Sequence, residues 1–293
     1  MQVLLCGSDG LVGSALSAEL QKNDAVKTVF AADIRHADSS PIGKIRPVLN
    51  EQIEDLLRTE SIDVMVLLAF PRNVTDDRWA PGIRYAHDLL WKAKQYGVSR
   101  VIHLSSQSLY GLRRTEPADE SSPILLNSPY TTGKYCLELL INSLFADRPH
   151  TNIRLSTVIA PTTRERVPNK LFRQLLDGRT LTIQGGGQVF SFLDVRDAAA
   201  GLAAVITSEN RRWREAYNLG TVEHITLSEL ARTAVSIYTD SGAGVGRYVV
   251  EEADVVLNNQ IKVDAFREDF GWEAGISLRR SLEDIFNYMR SHP

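Results

Sequence analysis

Tyr130 and Lys134 stand four residues apart in Asn127-Ser128-Pro129-Tyr130-Thr131-Thr132-Gly133-Lys134, at the mouth of an apolar run over residues 135–145. Pro129 suits the first turn of a helix, and Ser128 can cap it by accepting orphan N–H bonds. A helix starting there carries both side chains on one face, one turn apart. An ammonium beside a phenol favours the phenolate and brings its proton into play nearer neutral pH. Such a tyrosine can take a proton from an alcohol or return one to a ketone. An ordinary solvated helix face also carries Tyr and Lys at this spacing, so the rest of the chain must decide.

The elements that would position this pair begin at residue 3. Residues 3–6 form a continuous apolar run, as expected of a parallel strand covered on both faces. It ends in Gly7-Ser8-Asp9-Gly10-Leu11-Val12-Gly13, and a helical pattern through Leu16 and Leu20 follows. Glycines there permit a tight turn, close approach of a pyrophosphate and close packing of helix on strand. The helix start turns free N–H groups toward phosphates. The spacing is GxxGxxG rather than GxGxxG, and a ligand-free strand-to-helix turn could carry the same glycines. Residues 28–32 read as a second strand, and it terminates in Asp33. An acid about 20 residues past the last glycine accepts hydrogen bonds from a ribose diol and repels a 2′-phosphate, so Asp33 points to NAD over NADP. Arg35 complicates this, because a guanidinium there could neutralise that phosphate.

Further strands are predicted at 45–49, 64–69, 101–104 and 153–158, with helices at 51–58 and 81–96, the latter capped by Gly97. Ala69-Phe70-Pro71 should lie at the carboxyl edge of the sheet, beside a bound dinucleotide. His103, inside the fifth strand, reads as a core histidine bonded to backbone. This alternation predicts an α/β fold with a doubly wound parallel sheet. Beyond Pro161 it breaks: helices are predicted at 167–176, 195–206, 227–238 and 278–289, and strands at 181–183, 189–193 and 217–219. The domain reading is a dinucleotide-binding domain over 1–160, with 188–222 returning to it. Residues 161–187 and 223–293 form a smaller C-terminal α/β substrate lobe. The helix after Tyr130 is apolar nearly all round. One face must cover the sheet, and a subunit partner is the natural cover for the other, giving a homodimer through helices that include 130–146; cover by the C-terminal part is the alternative.

A net charge of -3 gives no electrostatic case for nucleic acid or an anionic membrane. The longest apolar run, 64–70, is too short to span a bilayer. The first residues carry no basic region, so a signal peptide is not expected. Cys6 and Cys136 have no metal-ligand spacing and no evident partner, so no metal site is expected and a reducing cytoplasmic compartment is the simpler reading.

Together these segments resemble the extended short-chain dehydrogenase/reductases, specifically the NAD-dependent epimerase/dehydratase family, over essentially the whole chain. The resemblance rests on Gly7, Gly10 and Gly13, on Asp33, on the run from Leu104 through Ser105 and Ser106 to Gly111, and on Pro129 to Lys134. Later matches are Arg154-Leu155-Ser156-Thr157-Val158-Ile159-Ala160-Pro161 and Tyr217-Asn218-Leu219-Gly220. It implies a Rossmann fold, with Tyr130 as acid/base and Lys134 holding the nicotinamide ribose. Ser106 would bind the reacting oxygen, and the glycine loop with Leu11, Val12, Ala69, Phe70, Pro71 and Ser105 would cradle NAD. The implied reaction is hydride transfer at a secondary alcohol or ketone of a sugar or nucleotide-sugar, a small-molecule substrate.

Departures from the family pattern narrow this. The family's dehydratases carry an acid pair just after the serine; Gln107 and Ser108 stand there, which argues against a dehydratase. The usual asparagine before Tyr-Gly-Pro is Thr157. The usual diphosphate-binding arginine is Phe190, which weakens a galactose-type epimerase. Arg164, Arg166, Lys170 and Arg173 are the basic residues that could serve as another anion site. The leading expectation is a ketoreductase or dehydrogenase; the alternatives are a sugar-nucleotide 4-epimerase with tightly held NAD and a catalytically inactive dinucleotide sensor.

Overall fold

A computed structural model describes residues 1–33, 40–71, 76–210 and 212–292, and for residues 76–79 the backbone alone. Arg35 lies outside the described residues. The strands are β1 Gln2–Cys6, β2 Thr28–Asp33, β3 Ile45–Leu49, β4 Val64–Leu67, β5 Arg100–Ser106, β6 His150–Leu155, β7 Thr157–Ile159, β8 Leu181–Gln184, β9 Val189–Phe190, β10 Phe192–Asp194, β11 Ala216–Leu219, β12 Ile225–Thr226 and β13 Tyr248–Glu251. The helices are α1 Leu11–Gln21, α2 Ile53–Thr59, α3 Asp76–Gln95, α4 Pro129–Leu144, α5 Val167–Leu176, α6 Val195–Thr207, α7 Leu227–Asp240, α8 Asp264–Phe270 and α9 Leu278–Ser291.

Seven strands pair in parallel in the order β11-β6-β5-β4-β1-β2-β3. The alternation of side chains along a strand explains why these runs are apolar throughout. Val3 and Leu5 of β1, with Val64 and Val66 of β4, pack under α1 and α6. Leu4 and Cys6, with Met65 and Leu67, face the opposite layer, where α2, α3 and α4 contribute Leu57, Leu90 and Ile141. The strand order reverses between β1 and β4, and at such a switch point the loops after the strands diverge and leave a crevice. A further core joins α5, α7 and α9 through Phe172, Leu230 and Phe286. The short β8–β13 ladder joins it through Leu181 and Ile183.

Several expected boundaries shift, each for a local reason. The strand expected at 64–69 ends at Leu67, because the Leu68 and Ala69 amides turn back to the Cys6 carbonyl. The run expected at 153–158 divides at Ser156, whose amide donates to the Leu219 carbonyl, and β7 then leaves the large sheet to pair with β10. The run expected at 189–193 divides at Ser191, where the amide donates to the Asn259 Oδ1 at 2.6 Å. β9 pairs instead with β12, which sequence pattern did not reveal. Helix α3 begins before Pro81, which sits inside it. The second face of α4 is covered largely by α3 of the same chain, through Leu137 and Ile141 against Ala86, Leu89 and Ala93. Leu139 stays exposed. No described helix is long and apolar enough to cross a membrane.

Candidate active site

Helix α4 begins where its sequence says it must. Ser128 Oγ accepts from the Thr131 amide at 3.2 Å, and Thr131 Oγ1 accepts from the Ser128 amide at 3.1 Å. Two otherwise orphaned donors are thereby satisfied with Pro129 in the first turn, which fixes where Tyr130 and Lys134 project. Lys134 is buried, and its Nζ donates to the Leu104 carbonyl at 2.5 Å. The ammonium also lies 5.0 Å from the centroid of the Phe70 ring, which meets Tyr130 edge-on at 6.0 Å. Ser106 closes β5 and caps the short 3-10 turn that follows, accepting from the Ser108 amide at 3.2 Å. Its hydroxyl donates to Ser108 Oγ at 3.1 Å, a bond that a short rotation would redirect to a ligand.

Ser105, Ser106, Tyr130 and Lys134 line one cavity of about 300 Å³. Gly7, Gly10, Leu11, Val12 and Gly13 line the same space, as does Arg166. A neighbouring cavity of about 510 Å³ shares Gly7, Gly10, Leu68 and Phe70 with the first and adds Asp33, Ala69 and Pro71. The two run as one cleft across the carboxyl ends of β1, β2, β4 and β5. Gly7 holds φ +96°, and a Cβ there would come within 2.7 Å of the Ala69 amide nitrogen. At Gly13 a Cβ would meet the Gly7 carbonyl at 2.3 Å, so α1 can approach β1 this closely only without one. Gly10 caps α1 with no side-chain bond, and the first turn holds no acid. Its N–H groups and the helix dipole are therefore arranged to receive an anion. Asp33 Oδ2 accepts from the Asp9 amide at 3.1 Å at the other end of the cleft. An anion-receiving helix start, a buried carboxylate beyond it and an ammonium at the far end form the donor set that a dinucleotide's diphosphate and two riboses require.

The family profile described as "NAD dependent epimerase/dehydratase family" matches residues 3–220, about three-quarters of the chain. The chain belongs to that family. UDP-glucose 4-epimerase of Bacillus subtilis (strain 168) is 22% identical, over 100% of this chain and 98% of its own. dTDP-D-glucose 4,6-dehydratase of Mus musculus is 24% identical over 83% of this chain and 74% of its own. Among solved structures, UDP-glucuronic acid 4-epimerase from Bacillus cereus, in complex with UDP-glucuronic acid and NAD, superposes with a TM-score of 0.81 at 21% identity, covering 100% of both chains. The fold is thus an α/β Rossmann fold, the protein is an NAD-dependent enzyme of the short-chain dehydrogenase/reductase type, and NAD is its cofactor.

Of the residues expected on the substrate side of this epimerase/dehydratase-family site, Gln107, Thr157 and Phe190 come together while Arg164 and Lys170 do not. Gln107, Thr157 and Phe190 line a third cavity of about 230 Å³, joined to the first at Arg166. Phe190 stacks on Phe192 with the rings 5.4 Å apart, and Thr157 Oγ1 accepts from Asn259 Nδ2 at 3.1 Å. Arg164 and Lys170 are exposed and line none of these three cavities; Lys170 pairs with Glu165 at 3.0 Å. Of that basic cluster Arg166 alone faces them. Tyr85, Asn50 and Asn259 also line the cavities and carry no motif. A tyrosine one turn past Pro81 reads in sequence as an ordinary helix face. His103 is fully buried and its Nδ1 lies 3.0 Å from the Asn152 Oδ1, a side-chain partner rather than the backbone. Burial first, and then the Lys134 charge, push its pKa well below the usual value, so the ring is neutral.

Proposed function

We propose that the protein transfers a hydride at a secondary alcohol or ketone of a sugar or nucleotide-sugar, with Tyr130 as acid/base. NAD bound in the cleft supplies the hydride acceptor. In the oxidation direction Tyr130 Oη, as phenolate, takes the hydroxyl proton while the hydride leaves the carbinol carbon, so the alcohol becomes a ketone. The reverse direction returns the proton from the phenol. Lys134, held by the Leu104 carbonyl and the face of Phe70, lines the same cavity as the phenol. Ser106 turns its hydroxyl from Ser108 to the substrate oxygen and steadies charge as it develops. The observation carrying this reading is that Ser106, Tyr130 and Lys134 share one cavity with the glycine loop.

The relatives favour a second reading, a sugar-nucleotide 4-epimerase that keeps NAD between turnovers. A panel of UDP- and dTDP-sugars given to NAD-loaded protein separates the two. Net oxidation raises absorbance at the NADH band in step with substrate consumed; an epimerase gives a new sugar-nucleotide isomer with no lasting absorbance change. Failure of every panel member to react, by either readout, counts against a nucleotide-sugar substrate. We take residues 1–160 with 188–222 as the cofactor-binding part, and 161–187 with 223–293 as the substrate lobe. Trp91 of α3 and Leu139 of α4, both exposed, support a homodimer formed through these helices.

A further inference from the structure

Gln107 opens the 3-10 turn that Ser106 caps, and it is 4% exposed. It lines the third cavity together with Ser108, Thr157 and Asn259. The linings of this cavity and the first interleave. Ser106 of the first donates to Ser108 of the third, Val158 of the first follows Thr157 of the third, and Arg166 belongs to both. A ligand whose reacting oxygen sits at Ser106 can therefore extend to Gln107.

The other amide side chain of the third cavity is engaged within the protein at both ends. Asn259 Oδ1 accepts from the Ser191 amide at 2.6 Å, and its Nδ2 donates to Thr157 Oγ1 at 3.1 Å. Gln107 differs. Its Oε1 is sealed from solvent and meets no hydrogen-bond partner among the described residues. Leu112, Phe190, Phe192 and Leu257 of the same lining are carbon side chains that cannot supply one. A buried acceptor without a partner destabilises the fold, and methionine would fill the same length without that penalty. Stability therefore gives no reason for an amide here. Such a local conflict is expected where a ligand completes the bonding. A half-turn of the terminal amide exchanges its oxygen and nitrogen, so either can meet that ligand. A hydroxyl both donates and accepts, and so matches either end.

We propose that Gln107 sets substrate specificity: its side-chain amide pairs with a substrate hydroxyl other than the one that reacts, a bond the substrate-free protein forgoes. This inference rests on the reading given above, hydride transfer at a sugar alcohol or ketone, and it narrows the substrate. The molecule turned over is a polyol with a free hydroxyl in the third cavity. An analogue with hydrogen in that place leaves the amide bare in the complex, and a site built to bond a hydroxyl discriminates strongly against it.

The test joins thermal unfolding to steady-state kinetics on Gln107→Met, which keeps the length of the side chain and removes the amide. In NAD-loaded protein without sugar, the melting temperature of Gln107→Met should equal or exceed that of wild type. The kinetic arm uses the best substrate from a panel of UDP-sugars, dTDP-sugars and free hexoses, with its monodeoxy analogues. Wild type should turn over one analogue about 10²-fold or more less efficiently than the parent, read as kcat/KM. In Gln107→Met that ratio should shrink to within about threefold, chiefly through loss on the parent. Gln107→Leu should behave alike. Melting several degrees below wild type in both variants, or failure of both to fold, would show that the amide serves the fold and overturns the proposal. A loss shared equally by the parent and every analogue, or a wild type that accepts every analogue, overturns it too. Turnover of no panel member would end the sugar reading and this inference together. Turnover with the ratio unchanged in the variants would end this inference alone.

Discussion

A phenol does acid/base work only if its hydroxyl is near a reacting oxygen and its charge is tolerated, and the proposal assigns both needs to neighbours of Tyr130. In the proposed reaction Lys134 and Ser106, which line the same cavity, would meet them, Ser106 through a second hydrogen bond to the same oxygen. Tyr130→Phe should therefore cut turnover by about 10²- to 10⁴-fold while leaving NAD affinity within about threefold, measured by steady-state rates and by titration calorimetry. Comparable losses in both would mean that the phenol holds the cofactor rather than moves a proton. Asp33 makes a separate, local prediction. Its carboxylate should favour NAD over NADP by more than about tenfold, and Asp33→Ser should erase most of that ratio by removing repulsion of the 2′-phosphate. Equal affinities in wild type would give Arg35 control of the site. The signals that single out Tyr130, Lys134 and Asp33 are local in sequence: a cap, a proline, a helical spacing, an acid at a strand end. The place of Arg166 and Asn259 at the cavities is not local in this way, since it depends on which way a loop turns in three dimensions.

Among the elements, β5 carries the largest local burden, since it presents His103, Ser105 and Ser106 in succession. His103 makes the pH dependence of stability predictable. The unfolded chain protonates this ring below about pH 6.5, whereas the folded chain, with a lowered pKa, does not. The unfolded state then binds more protons, so stability is full above that pH and falls as pH drops below it. Urea unfolding between pH 7 and 5 should show wild type losing up to about 1.4 kcal/mol per pH unit more than His103→Gln. Parallel curves for the two proteins would show that the folded ring accepts the proton. The parallel strands were legible as continuous apolar runs because both faces are covered. The divisions at Ser156 and Ser191 were not, because each depends on a distant partner, Leu219 or Asn259. Helix α4 shows the same limit: its apolarity is plain in sequence, but its cover by α3 is a tertiary fact.

At the scale of the whole molecule, the switch point between β1 and β4 opens the cleft, and α5, α7 and α9 pack on one another in a core of their own. The outer surfaces of α3 and α4 keep Trp91 at 55% and Leu139 at 53% exposure, large apolar groups on adjoining helices. If they meet a second copy, Leu139→Arg should halve the mass seen by light scattering while leaving the melting temperature within a few degrees at fixed concentration. A wild-type monomer would remove that proposal. The account depends above all on a single convergence at the cleft: phenol, serine hydroxyl and nicotinamide around one carbinol carbon. Its most direct measurement is a crystal structure of the NAD complex. The nicotinamide C4 should face a point from which Tyr130 Oη and Ser106 Oγ both lie about 3 Å away. A nicotinamide bound elsewhere, or a phenol turned out of the cleft, would contradict it.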